Sequence, residues 1–113
     1  MTDGKTTIAP EVLQSIARLT ALNVPGVSRL YPVSSGVNQL FKLGYKGGVH
    51  IDVKDDSVYA DLYIVLNSDV NIRDVSRTIQ QEVSRAITEM IGMRVGGVNI
   101  HIEDIDYPND KEA

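Results

Sequence analysis

The chain has 113 residues, no cysteine and a formal net charge of −4. That is about one domain, without disulfides, a thiolate nucleophile or Cys-ligated zinc. Its acidic balance argues against a dedicated nucleic-acid binder, which carries a net positive field or a dense basic stripe. Hydrophobic and charged contents of 42% and 23% are ordinary for a globular protein.

The N-terminal stretch "MTDGKTTIAP" has neither the basic start nor the apolar core of a signal peptide. The longest apolar runs, such as residues 62–66, fall far short of the roughly 20 residues needed to cross a bilayer. A cytoplasmic protein is expected, with residues 1–5 and 108–113 as flexible ends of a single domain over 6–107.

In "TIAPEVLQSIARLTALNVPGV" a short strand leads into a helix. Pro10 suits the first helical position, where its missing N–H costs nothing. Val12, Leu13, Ile16, Ala17, Leu19 and Thr20 recur at helical spacing, and Asn23 with Pro25 and Gly26 stops the helix. "VSRLYPV" reads as a short strand. From residue 32 to 48 the pattern is lost; "VNQLFKLGY" has the makings of one amphipathic turn inside a long loop.

Two strands follow. "VHIDV" alternates Val49, Ile51 and Val53 against His50 and Asp52; "SVYADLYIVLNS" alternates Val58, Ala60, Leu62, Ile64 and Leu66 against Tyr59, Asp61, Tyr63 and Val65. The linking "KDDS" is a polar hairpin turn without the Asn-Gly or Asp-Gly pair of the tightest type. A second helix begins at the N-cap Asn71, with Asp74 placed as in a capping box. Its stripe is Ile72, Val75, Ile79, Val83, Ala86, Ile87, Met90 and Ile91, and Gly92 ends it. The last strand, "VNIHIEDIDY", sets Val98, Ile100 and Ile102 against Asn99, His101 and Glu103. Half-apolar strands and two amphipathic helices predict an α+β two-layer sandwich, in about β-α-β-β-β-α-β order. Both helices pack on one face of a small mixed or antiparallel sheet, and the other face stays open.

"APEVLQSIARLTALNVPGV", "VYADLYIVLNSDVNI" and "VSRAITEMIGMRVGGVNIHIEDID" resemble the bacterial alkaline shock protein and general stress protein family, from about Thr6 to Tyr107. The resemblance is a dispersed pattern: Ile8, Glu11, Val12, Ile16 and Ala17; Val24, Gly26 and Val27; Asp61, Leu62 and Tyr63; Asn71, Ile72, Val75, Ile79, Gln80 and Val83; Val98, Asn99, Ile100 and Ile102. Pro25 and the loop from Tyr31 to Gly47 depart from it. It implies a non-enzymatic cytoplasmic protein of cell-envelope homeostasis, without cofactor. It further implies self-assembly on a small membrane-anchored partner, or regulation of lipid synthesis.

The open face is the candidate interaction surface: His50, Asp52, Tyr59, Asp61, Tyr63, Asn99, His101 and Glu103. Tyrosine brings large contact area with a polar tip to protein interfaces. The same two tyrosines would serve base stacking in an RNA-binding module, but Asp52, Asp61 and Glu103 would repel phosphate there. An ordinary solvated face is the plain alternative.

His50 and His101 would form a metal site only if their strands were neighbours and the carboxylates converged. Gly44, Tyr45, Lys46 and Gly47 spell G-x-x-G, a backbone clamp in one RNA-binding fold. There it joins two helices, whereas here a strand follows directly. No acid–base pair or nucleophile elbow stands out. On the second helix Arg73, Arg77 and Arg85 make a modest basic stripe. Arg85 with Glu89 and Asp74 with Arg77 are spaced for ordinary surface pairs. Membrane insertion of that helix is not expected, because the sheet needs its apolar stripe.

Overall fold

In a computed structural model the chain is described at Gly4 and over residues 6–32 and 45–108. Among the described residues the elements run α1 (Pro10–Leu22), β1 (Val27–Leu30), β2 (Tyr45–Lys46), β3 (Val49–Lys54), β4 (Ser57–Asn67), α2 (Ile72–Ile91) and β5 (Arg94–Asp106). The expected α+β two-layer sandwich is present, and its sheet is mixed.

β4 is the axis of the sheet. β5 runs parallel to it over its whole length, from Ser57↔Arg94 to Asn67↔Asp106. A strand has two edges, so β3 and β1 share the other one. β3 pairs antiparallel with residues 57–62 and β1 with residues 64–66. β2 adds a two-residue extension to β3.

The alternating apolar positions of β4 face the helices. Val58, Ala60, Leu62, Ile64 and Leu66 are all fully buried, and Leu13, Ala17 and Ala21 of α1 and Val75, Ile79, Val83 and Ile87 of α2 close over them. The two helices pack against each other, α1 also against β3 and β1, and α2 against β5. The four α2 residues keep an i, i+4 spacing, which runs as one ridge along a helix. No described helix is long and apolar enough to cross a membrane.

Three local expectations are corrected. The segment before α1 is extended at Ala9 but joins no strand; Ile8 packs against the core instead. The apolar stripe of α1 is rotated: Val12 and Leu19 are exposed, while Gln14 and Ala21 are buried. Small residues at 17 and 21 let the helix backbone approach its neighbours closely, so they win the inward face over larger ones. On α2, Ile72 and Met90 lie at the helix ends, past the reach of the sheet, and are 49% and 68% exposed.

The caps follow the sequence. The Asn71 side chain accepts from the Asp74 amide at 3.0 Å, and Gly92 takes the left-handed conformation, φ 80°. Both hairpin turns contain two residues. Asp55 and Asp56 have φ of 51° and 65°, and Gly47 and Gly48 have 60° and 85°. Positive φ at both positions belongs to the tight type that follows strand twist. "KDDS" therefore makes the tightest hairpin without a glycine, using the tolerance of Asp for this region. "VNQLFKLGY", apart from Tyr45, lies outside the described residues.

Candidate interaction face

The open face is built by the residues of β4 that alternate with its buried row. Register sets His50↔Asp61↔Asn99 across three strands, Asp52↔Tyr59↔Gly97 beside them, and Tyr63↔His101. His50 and His101 therefore sit on strands separated by β4, not on neighbours. Among the described residues no three His, Cys, Asp or Glu are grouped to hold a metal ion.

Asp61 organises the centre. Its Oδ1 accepts from Asn99 Nδ2 at 3.1 Å and meets His101 Nε2 at 3.0 Å. The His101 ring stacks on Tyr63, with centroids 4.5 Å apart and planes 12° from parallel. An aromatic stack of this kind helps to hold both side chains on a partly exposed face. Asp52 pairs loosely with Lys54 at 3.7 Å. Glu103 sits where the β4–β5 register shifts, so Asp104 rather than Glu103 opposes Val65.

Tyr59 is 40% exposed, with its ring laid over Gly96. A second register shift brings Gly96 under it, between Val95 and Gly97. The adjacent glycines "GG" near the start of β5 were the available signal for this seat.

Sequence reasoning passed over the ends of the sheet. Asp106 of β5 accepts from Ser28 Oγ at 2.6 Å and pairs with Arg29 Nε at 3.1 Å. β1 and β5 flank β4 on opposite edges, so these bonds cross β4 on the open side. Val65, the partner of Arg29 in register, is fully buried although it lies outside the helix-side core. The hydrogen bond and charge of Asp106 raise the Arg29 guanidinium pKa further above its ordinary value.

Arg73, Arg77 and Arg85 are exposed on α2 but do not act as one stripe. Arg85 is held by Glu89 at 3.1 Å and Glu82 at 3.9 Å; the hydrogen bond to Glu89, then the two charges, raise its pKa. Asp74 and Arg77 form no ion pair. The Thr78 hydroxyl donates to the Asp74 carbonyl at 3.0 Å. Arg73 to Arg85 is 12 positions, about a third of a turn around the helix.

Gly47 belongs to the β2–β3 hairpin turn, whereas Gly44 lies outside the described residues. Gly47 joins two antiparallel strands rather than two helices, and it lies against the Arg18 side chain of α1. Two grooves open on the helix layer. One of about 540 Å³ lies between the end of α1 and α2, lined by Thr20, Asn23, Glu82, Arg85 and Met90 among others. The other, about 920 Å³, is lined by Ile8, Pro10, Leu13, Val53, Ile91 and Met93 among others. Neither has a histidine in its wall.

Residues 1–107 match the sequence profile of the alkaline shock protein 23 family, described by a cell envelope-related function. YqhY, an uncharacterized protein of Bacillus subtilis (strain 168), is 33% identical over 106 residues, covering 92% of this chain and 78% of YqhY. Spy1535, an uncharacterized protein of Streptococcus pyogenes serotype M6, is 33% identical over 103 residues, covering 90% of this chain and 79% of its own. Among solved structures, a MamM CTD variant superposes with a TM-score of 0.54 at 16% identity, over 87% of this chain and 100% of that one. A manganese form of the MamM CTD gives 0.52 at 16%, over 85% and 99%. This likeness concerns the fold alone.

Proposed function

Because the chain belongs to the alkaline shock protein 23 family, with its cell envelope-related function, we propose that it is a non-enzymatic scaffold working through protein–protein contact. In this reading it associates with itself and docks a membrane-anchored partner through the open sheet face. The observation that carries the reading is the ordered polar–aromatic surface of that face. Tyr59 is seated on Gly96, and Tyr63 is stacked on a His101 already fixed by Asp61. Pre-fixed aromatic side chains lose little conformational entropy on binding, which is what an interface anchor needs.

The test is a pull-down of the tagged chain from gently solubilised native cells, with and without nuclease. Wild type should capture a membrane protein and further copies of itself, resistant to nuclease. Tyr59→Ala with Tyr63→Ala should keep the fold and lose the membrane protein. If that variant folds and captures the same partners, the sheet face is not the docking surface. Captured RNA whose binding falls steeply with salt would favour the RNA-binding reading instead. Recovery of a lipid-synthesis enzyme in place of a membrane anchor would point to the regulatory one.

A further inference from the structure

β5 is an edge strand. One edge pairs with β4 over its whole length, and among the described residues the other pairs with nothing. A long free edge is a template for another strand. What would pair with it is written in the order of its side chains.

The β5 residues opposite the buried row of β4 are Val95, Val98, Ile100, Ile102 and Ile105, facing Val58, Ala60, Leu62, Ile64 and Leu66. About Ile100 they stand at −5, −2, 0, +2 and +5. The spacing is a palindrome, because the two register shifts, at 96/97 and at 103/104, fall symmetrically about the same residue. An antiparallel copy centred on Ile100 therefore matches every apolar position to an apolar position on the same side. It sets Val98 against Ile102, Val95 against Ile105, and bulge against bulge.

Charge follows the same axis. Arg94 is exposed and makes no ion pair among the described residues; at the other end lie Glu103, Asp104 and Asp106. Antiparallel pairing about Ile100 brings each Arg94 beside the partner's acidic end. Parallel pairing would stack the carboxylates of both copies together.

α2 leaves the edge approachable. Thr78, Glu82, Arg85 and Glu89 of α2 face the α1 side. Gln80 lies on the opposite flank, where its Nε2 donates to the Val98 carbonyl at 3.0 Å. A helix side chain reaches that carbonyl from the outer edge, because the inner one is occupied by the β4 ladder. Gln80 thus satisfies in the single chain an acceptor that a second strand would take. Its neighbours at i±4 on this flank, Ser76 and Ser84, are small enough for a second α2 to come alongside, with Arg73 and Arg77 exposed further round the same side.

We propose that two copies of this chain pair antiparallel through residues 98–102 of β5 about a twofold axis at Ile100, joining their sheets and leaving the open face clear. This rests on the self-association in the proposed function and names the surface that performs it.

The experiment is sedimentation equilibrium of the full chain, with chemical cross-linking of single-cysteine variants, which is clean because the chain has no cysteine. Wild type should dimerise, and Asn99→Cys should cross-link through a short reagent while Asp69→Cys, exposed beyond β4, does not. Ile100→Pro removes an edge-facing N–H, which an edge strand tolerates, together with part of a side chain packed on the core. It should weaken the dimer about a hundredfold with an unchanged circular dichroism spectrum. Gln80→Ala, by freeing the Val98 carbonyl, should tighten it about fivefold.

A wild-type dimer in which Asn99→Cys does not cross-link overturns the β5 pairing while self-association stands. A chain that stays monomeric overturns both. Should Ile100→Pro not fold, or disagree with the cross-link, the Asn99→Cys result decides.

Discussion

The ring of Tyr59 lies on the backbone of Gly96, so that a Cβ added to Gly96 would clash with its Cζ, Cε2 and hydroxyl edge. The contact joins β4 to the bulge of β5 and explains why a glycine pair opens a strand that glycine otherwise weakens. Gly96→Ala should therefore cost about 1–2 kcal/mol by overpacking. In a Tyr59→Ala background the same change should cost almost nothing. Urea unfolding of the two single variants and the double measures the coupling; strictly additive effects would mean that the ring is not seated there.

The two hairpin turns should respond in opposite directions. Asp56, at φ 65°, pays for a left-handed conformation that glycine adopts freely. Asp56→Gly should raise stability by about 0.5 kcal/mol, because the greater freedom of the unfolded chain offsets part of the gain. Gly48→Ala should destabilise by about 2 kcal/mol or more, since φ is 85° and a Cβ would stand 2.7 Å from the Tyr31 carbonyl oxygen. Thermal melts of both variants check the signs.

At the sheet end the part-buried Ser28–Asp106 bond should outweigh the exposed Arg29–Asp106 pair. Ser28→Ala should lose about 1 kcal/mol at any ionic strength. Arg29→Ala should lose stability mainly at low salt and approach wild type at high salt. Denaturant midpoints at two salt concentrations separate the two.

Asp61→Ala removes the acceptor of both Asn99 and His101. It should cost about 1–2 kcal/mol and loosen the Tyr63–His101 stack. The His101 ring resonances, compared between variant and wild type by NMR, report the second effect. An unchanged His101 environment would mean that Tyr63 alone holds the ring.

Much of this fold is legible along the chain. The period-2 alternation of residues 58–66 names the helix-facing side of β4 before any partner strand is known, because successive side chains of a pleated strand point to opposite faces. Asn71 and Gly92 bracket α2 through groups that act within one turn of themselves. The open face of the sheet was legible to the same depth: alternation places His50, Tyr59, Asp61, Tyr63, Asn99 and His101 on one side.

What escaped the sequence lies wherever two distant segments choose each other. The stripe of α1 includes apolar Val12 and Leu19 as readily as Ala21, and only contact with α2, β3 and β1 turned Ala17 and Ala21 inward. Alternation is blind to strand partner and direction, so the parallel pairing of β5, its two bulges and the single β4 edge shared by β3 and β1 came from packing. For the same reason Glu103 lost the place that alternation assigned it, and Asp106 acquired partners 78 and 77 residues away. Local periodicity determined which strand side chains point towards the helices, because alternation depends on backbone geometry alone. The tertiary structure decided which of them meet, because that choice minimises exposed surface over the whole chain at once.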